Sequence, residues 1–205
     1  MPWILRVDLN MKQGMGEDSL PSIEGDVSIC TLCRLHEGRI NPVPGEGNIH
    51  SPIVYIGEGP GRKEDEAGRP FVGSAGKLLS QLLHGINLSR DDVYIANIVK
   101  CRPPKNRRPK ANEVQACTPY LDRQLSLIKP LIIAPMGNSA VGYFLKKYNL
   151  DKAPIGDVHG SALNIETPWG DAILFPLYHP AAVLYNRSLE VELEKDFKKL
   201  KKIVG

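Results

Sequence analysis

Nothing in the sequence approaches the ~20 consecutive apolar residues that a membrane-crossing helix needs, so an integral helical membrane protein is excluded. The start, Met1-Pro2-Trp3-Ile4-Leu5-Arg6-Val7-Asp8-Leu9, has neither the basic head nor the long apolar core of a signal peptide, and an intracellular, cytoplasmic location is expected. Internal repeats and low-complexity segments are absent as well. What remains is a chain of 205 residues, enough for one domain with a sizeable core. Residues 1–27 contain Gly14, Gly16, Pro21 and Gly25; little regular structure is expected there, and they are read as an N-terminal extension before a single domain over residues 28–205. A large excess of either charge is missing too. The net charge is only +3, so a nucleic-acid partner has to be argued from local patches and not from the total.

The most informative stretch is Val54-Tyr55-Ile56-Gly57-Glu58-Gly59-Pro60-Gly61-Arg62-Lys63-Glu64-Asp65. A β-branched and aromatic run bounded by Gly and Pro reads as a buried strand. The glycines after it let the chain turn sharply and let a flat ligand approach the backbone. Three further strands are expected, at Val93–Val99, Leu131–Pro135 and Ala172–Leu177. Helical periodicity lies between them: Leu78, Leu79, Leu82, Leu83 and Ile86 after an expected N-cap at Ser74, a helix around Ala111–Ile128, one ending near Tyr148, and a last one from about Ser188. Alternating strands and helices imply an α/β chain with a parallel sheet covered on both faces. Parallel strands place Gly57-Glu58, Asn97, Gly137-Asn138 and Tyr178-His179 on one edge of the sheet, where ligands bind in open α/β folds.

Cysteine is rare: Cys30, Cys33, Cys101 and Cys117 are the only four. The first pair is C-x2-C in Cys30-Thr31-Leu32-Cys33-Arg34-Leu35-His36, a stretch read as a short helix carrying two thiols. Paired disulfides fit poorly with an intracellular chain. A redox C-x-x-C pair would leave Cys101 and Cys117 unexplained. Four thiolates suit either tetrahedral zinc or a [4Fe–4S] cluster, and spacing alone leaves both open, beside plain buried thiols.

Lys100-Cys101-Arg102-Pro103-Pro104-Lys105-Asn106-Arg107-Arg108-Pro109-Lys110 carries six basic residues and no acid. Its prolines keep it out of a helix or a central strand. Beside the ligand edge of the sheet, it reads as a fixed phosphate-contacting surface. Gly73-Ser74-Ala75-Gly76-Lys77 is a near miss for a phosphate loop, because Phe71 and Leu78 occupy positions that Walker A reserves for Gly and for Ser or Thr; an NTPase is excluded.

Taken together these motifs resemble the iron–sulfur uracil-DNA glycosylases of family 4, the type first associated with thermophiles. The resemblance covers about residues 28–200 and rests on an ordered set of segments. They are Cys30-x2-Cys33, Val43-Pro44-Gly45-Glu46-Gly47, Gly57-Glu58-Gly59-Pro60-Gly61 with Glu64-Asp65, Gly68-Arg69-Pro70-Phe71-Val72-Gly73-Ser74-Ala75-Gly76, Asn97-Ile98-Val99-Lys100-Cys101-Arg102-Pro103-Pro104, Cys117 and His179-Pro180-Ala181-Ala182. It implies a three-layer α/β/α sandwich around a four-stranded parallel sheet. It also implies hydrolysis of the N-glycosidic bond of uracil in single- or double-stranded DNA, to start base excision repair, and a structural [4Fe–4S] cluster on Cys30, Cys33, Cys101 and Cys117. A non-catalytic iron–sulfur nucleic-acid-binding module is the alternative. No membrane partner is implied, and a replication clamp or other repair protein would be a further partner, for which no motif stands out.

The resemblance also assigns roles that the residue chemistry fits. A base inside a duplex must be flipped out, which needs phosphate grips and an apolar wedge. Lys100, Arg102, Arg107 and Arg108 are the candidate grips, Val183 or Leu184 the wedge, and Arg187 a further phosphate contact. Gly57 and Gly59 would floor the base pocket and Phe71 would stack on the base. Asn97 offers one acceptor and one donor, matching N3–H and O4 of uracil, a pattern that cytosine reverses. His179 would donate to the developing O2 anion. Better-known uracil glycosylases carry Asp where Gly59 stands and Tyr near Gly61. Gly59 cannot activate water, so Glu58 or Glu64 would orient it, and Glu64 would fill space that excludes thymine.

Overall fold

The computed structural model describes residues 18–205. Its sheet and helices follow in the order α1 (Leu20–Ile29), β1 (Glu46–Gly47), β2 (Ile53–Gly57), α2 (Arg62–Ala67), α3 (Ser74–His84), β3 (Tyr94–Asn97), α4 (Ala111–Ile128), β4 (Ile132–Pro135), α5 (Asn138–Lys147), α6 (Ile155–Val158), β5 (Leu163–Thr167), β6 (Gly170–Leu174), α7 (Pro180–Tyr185) and α8 (Ser188–Val204). Residues 1–17 of the expected extension lie outside the described residues. Short 3-10 turns occupy Arg34–Gly38, Arg90–Asp92 and Pro104–Asn106.

The sheet runs β1-β3-β2-β4-β6-β5. Its four central strands are the expected ones, and they pair in parallel, with Gly57 opposite Asn97 and Ile56 opposite Pro135. Two antiparallel edge strands widen it to six, β1 on β3 and β5 on β6. β2 is buried along its whole length. Its alternate side chains therefore enter two different cores: Val54 and Ile56 meet Leu121, Leu125 and Phe144 of α4 and α5, while Ile53 and Tyr55 meet Leu79, Leu83, Phe197 and Leu200 of α3 and α8. This is the expected α/β/α layering. Tyr55 stacks on Phe197 with ring centroids 5.5 Å apart. Each large side chain so buried contributes ~1.5–3 kcal/mol.

Two local readings change. Residues 20–27 are helical. Ser19 caps α1, Ile23 and Val27 are buried, and Arg123 of α4 reaches Asp18 and Asp26, so tertiary packing outweighs the Gly and Pro content of the stretch. The thiol-bearing stretch is not a helix: α1 ends before Cys30, which caps it, and Cys33 precedes the next 3-10 turn. A smaller shift concerns α3, whose N-cap is Gly73, with Ser74 as the first helical residue. No helix among the described residues is long and apolar enough to cross a membrane.

Candidate active site

The ends of β2, β3 and β4 and the turn after β6 open onto one cavity of about 490 Å³, a size typical of small-ligand sites. Glu58, Gly59, Glu64, Phe71, Asn97, Arg107, Arg108 and His179 all line it, so the structure brings together residues spread over more than half of the chain.

His179 is the N-cap of α7, and its Nδ1 accepts the Ala181 N–H at 3.1 Å. A backbone N–H only donates, so Nδ1 carries no proton and Nε2 carries it. Burial pushes the His179 pKa down to about 4. The ring is thus a neutral donor, half-buried on the cavity wall beside Phe71, with centroids 5.5 Å apart and planes at 28°.

Asn97 ends β3 and is 2 % exposed. Its side-chain amide has no hydrogen-bond partner among the described residues, and it faces the cavity. Gly57 lies opposite it. An added Cβ on Gly57 would collide with Asn97 Oδ1 and stand 2.7 Å from Phe71 Cζ, so the absence of a side chain at Gly57 is what lets the amide and the ring share the floor. Gly59 is closed for another reason, since a Cβ there would stand 2.7 Å from Val99 Cγ2.

Phe71 has a φ of +52°, a left-handed conformation that costs an L residue about 1–2 kcal/mol. The loop is held there from outside. Glu64 Oε1 accepts the Val72 N–H at 2.9 Å and the Gly73 N–H at 2.8 Å, next to the start of α3. Glu64 is therefore largely committed to the loop, whereas the Glu58 carboxylate has no hydrogen-bond partner among the described residues. Arg90, which sequence reasoning does not single out, lies behind the same loop; nothing in its polar turn before β3 marks it.

The proposed DNA grips divide. Lys100 is not one of them: it is 1 % exposed, and its Nζ donates to the Asn97 carbonyl at 3.0 Å and to Gln124 Oε1 at 2.7 Å. It heads the basic run in sequence but points under the sheet edge. Burial lowers its pKa to about 8. Val183 is not a wedge either. It is 4 % exposed and packs in the α3–α8 core, because one turn of α7 has one inner and one outer face. Its neighbour Leu184 is 55 % exposed, Tyr185 more so, and Arg187 is at the surface. Arg107 forks onto Glu113 at 2.6 and 2.8 Å, which fixes the proline-rich loop against α4; Arg108 is exposed, and Arg102 donates to Asn106 Oδ1 at 2.8 Å.

On another part of the surface, Cys30, Cys33, Cys101 and Cys117 line one small cavity. Among the described residues no three His, Cys, Asp or Glu side chains are arranged to hold a single metal ion. The donor chemistry nevertheless suits a cluster. Four thiols and no carboxylate meet there, the Lys100 N–H donates to Cys117 Sγ at 3.1 Å, and Arg39 Nη1 donates to Cys101 Sγ at 3.2 Å.

A sequence model of the Uracil DNA glycosylase superfamily matches residues 44–204 of the chain. Curated relatives carry a more specific name, Type-4 uracil-DNA glycosylase. The one from Saccharolobus solfataricus is 47 % identical over 189 residues, covering 92 % of this chain and 88 % of its own. That from Sulfurisphaera tokodaii is 46 % identical over 187 residues, covering 91 % and 85 %. That from Thermotoga maritima is 41 % identical over 193 residues, covering 92 % and 96 %.

Proposed function

The chain belongs to the uracil DNA glycosylase superfamily, as a uracil-DNA glycosylase of type 4 that hydrolyses N-glycosyl bonds, and on that premise we propose how its residues divide the work. The observation that carries the assignment is the Asn97 amide, buried, without a partner among the described residues and facing the cavity. A flipped uracil placed there satisfies it: Oδ1 accepts N3–H and Nδ2 donates to O4. Phe71 covers one face of the base and Gly57 floors the slot. His179 Nε2–H donates to uracil O2, where charge accumulates as the glycosidic bond breaks. The electron pair of that bond leaves with the base, and water adds to the sugar carbon that it vacates.

Glu58 orients that water and stabilises the positive sugar, because it is the carboxylate left free by the loop. Glu64 acts chiefly by holding Val72 and Gly73, and its second oxygen, 2.8 Å from where a Cβ on Gly61 would stand, narrows the pocket against the thymine methyl. Arg102, Arg107, Arg108 and Arg187 grip phosphates, and Leu184 fills the gap left by the flipped base. Cys30, Cys33, Cys101 and Cys117 would hold a [4Fe–4S] cluster, whose contribution is structural. Held there, the loop after α1 is tied to the segment joining β3 to α4. The one continuous sheet supports a single domain, and α1, which crosses the expected boundary at residue 28 and packs on α4, is read as part of it.

The reading is tested by purifying the protein without air, recording its visible spectrum, and incubating it with a uracil-containing oligonucleotide before alkali. Alkali-labile breaks at uracil and an iron–sulfur chromophore with four irons per chain are expected. DNA binding without breaks would overturn the catalytic assignments, and a colourless protein that still cleaves would overturn the cluster alone.

The pH profile gives a second check. The His179 pKa is depressed from 6.5 to about 4, so the neutral donor persists as pH falls through the ordinary histidine range. Excision under single-turnover conditions is expected to show no His179-dependent loss between pH 7 and pH 5. The unfolded chain, by contrast, takes up its proton near 6.5. The native state therefore loses stability as pH falls from 6.5 towards 4, and thermal unfolding should record that loss as absent in His179→Gln.

A further inference from the structure

The loop that presents Phe71 is clamped from two sides by opposite charges. Its donors, Val72 N–H and Gly73 N–H, both point at Glu64 Oε1. Its acceptors point the other way. Arg90 Nη2 donates to the Pro70 carbonyl at 2.7 Å, and Nη1 donates to the Phe71 carbonyl at 3.1 Å. Four consecutive residues thus give up two carbonyls to a cation and two amides to an anion. This is the arrangement needed to fix a residue at a φ of +52° against its own preference. Behind the loop, a Cβ on Gly76 would collide with the Phe71 carbonyl, so α3 presses directly on the same peptide.

Arg90 is itself anchored. Its Nε and Nη2 both donate to Glu46 Oε1, and Arg69 Nε donates to Glu46 Oε2 at 2.7 Å. Glu46 belongs to β1, which is only two residues long and pairs with Ile95 and Tyr94 of β3. Burial raises the Glu46 pKa, but the two guanidiniums more than offset that and hold it below the usual carboxylate range. The chain of contacts runs from β3 through Glu46 and Arg90 to Phe71, and β3 is the strand whose last residue is Asn97.

We propose that Arg90, anchored by Glu46, is a positioning residue for base recognition: it sets the ring of Phe71 over the slot read by Asn97, a role that rests on the uracil-pocket reading above. Arg90 does not line the cavity. It suits the task because a planar fork reaches two carbonyls and a carboxylate at once, which a lysine ammonium does not. Without it, the Pro70 and Phe71 carbonyls would lose the guanidinium that holds them, and the loop would turn away.

A double-mutant cycle of Arg90→Met with Phe71→Leu separates this role from general support. In the native background, Arg90→Met is expected to lower kcat/KM for uracil excision by at least about 10-fold, towards the ~10²-fold that ångström-scale misplacement costs. It should weaken binding of free uracil in step while leaving affinity for uracil-free DNA unchanged. In the Phe71→Leu background the same change should cost less than about 2-fold, since no ring remains to be placed. Arg90→Lys should recover part of the loss and Glu46→Gln should show a smaller loss of the same kind. Equal losses in both backgrounds, or loss of DNA affinity in parallel, would overturn the proposal. If Arg90→Met no longer melts cooperatively, the cycle runs with Arg90→Lys under the same criteria. A native protein that makes no breaks at uracil would instead refute the pocket reading on which the role rests.

Discussion

His179→Ala is expected to slow uracil excision by ~10²–10³-fold, about 2.7–4 kcal/mol of transition-state stabilisation, with little change in DNA affinity. The size follows from the geometry. Nδ1 is occupied by the Ala181 N–H, so the only proton on the ring is on Nε2 at the cavity wall. Burial keeps the imidazole neutral far below its usual range. A neutral donor already oriented there gains most when the base becomes anionic, and little before. Truncation therefore acts on the chemical step. Alanine also leaves the Ala181 N–H without its cap, a separate loss of ~0.5–2 kcal/mol in stability. Single-turnover rates and melting curves measured together divide the two effects, and a near-native single-turnover rate would remove His179 from the reaction.

Asn97→Asp is expected to reduce the preference for uracil over cytosine, as a ratio of kcat/KM values, by at least ~10²-fold, mainly through loss of uracil excision. An ionised carboxylate keeps two acceptors and has no donor for O4, which it then repels. The 4-amino group of cytosine, by contrast, meets an acceptor. The site amplifies this because Asn97 is 2 % exposed, and a buried polar group left mispaired is costly. Competition between uracil- and cytosine-containing strands, with breaks counted after alkali, measures the ratio. An unchanged ratio would mean that the amide does not read the base.

Much of this was legible without coordinates, for identifiable reasons. α4 spans Ala111–Ile128 in the structure just as its periodicity indicates, and the four central strands lie at the expected apolar runs, with Gly57 and Asn97 ending two of them and Gly137 and His179 following the other two. Parallel topology then forces their ends together, and that is why Gly57, Asn97 and His179 meet. The misreadings share a physical cause as well. Charge pattern says nothing about which way a side chain leaves the backbone, so Lys100 looked like the first grip of a basic loop although it is pinned under Gln124. Val183 and Leu184 are adjacent apolar residues, and only the orientation of α7 decides that the first is core and the second surface. β5 pairs at an edge, with an alternation too short to register, and Arg90 works through backbone carbonyls, which leave no trace in residue types.

The parallel order of the central strands has a consequence for the making of the enzyme. Asn97, Phe71 and Gly57 are synthesised well before His179, yet the pocket needs all of them, and β6 joins the sheet only through β4. No fragment of the chain holds a local version of the site. Contacts between such distant segments form late, because the closure of long loops precedes them. On the roles proposed above, a nascent chain that has already made Asn97 still lacks the His179 donor. The pocket as a geometric whole is completed only with the last sheet strand and the turn that follows it.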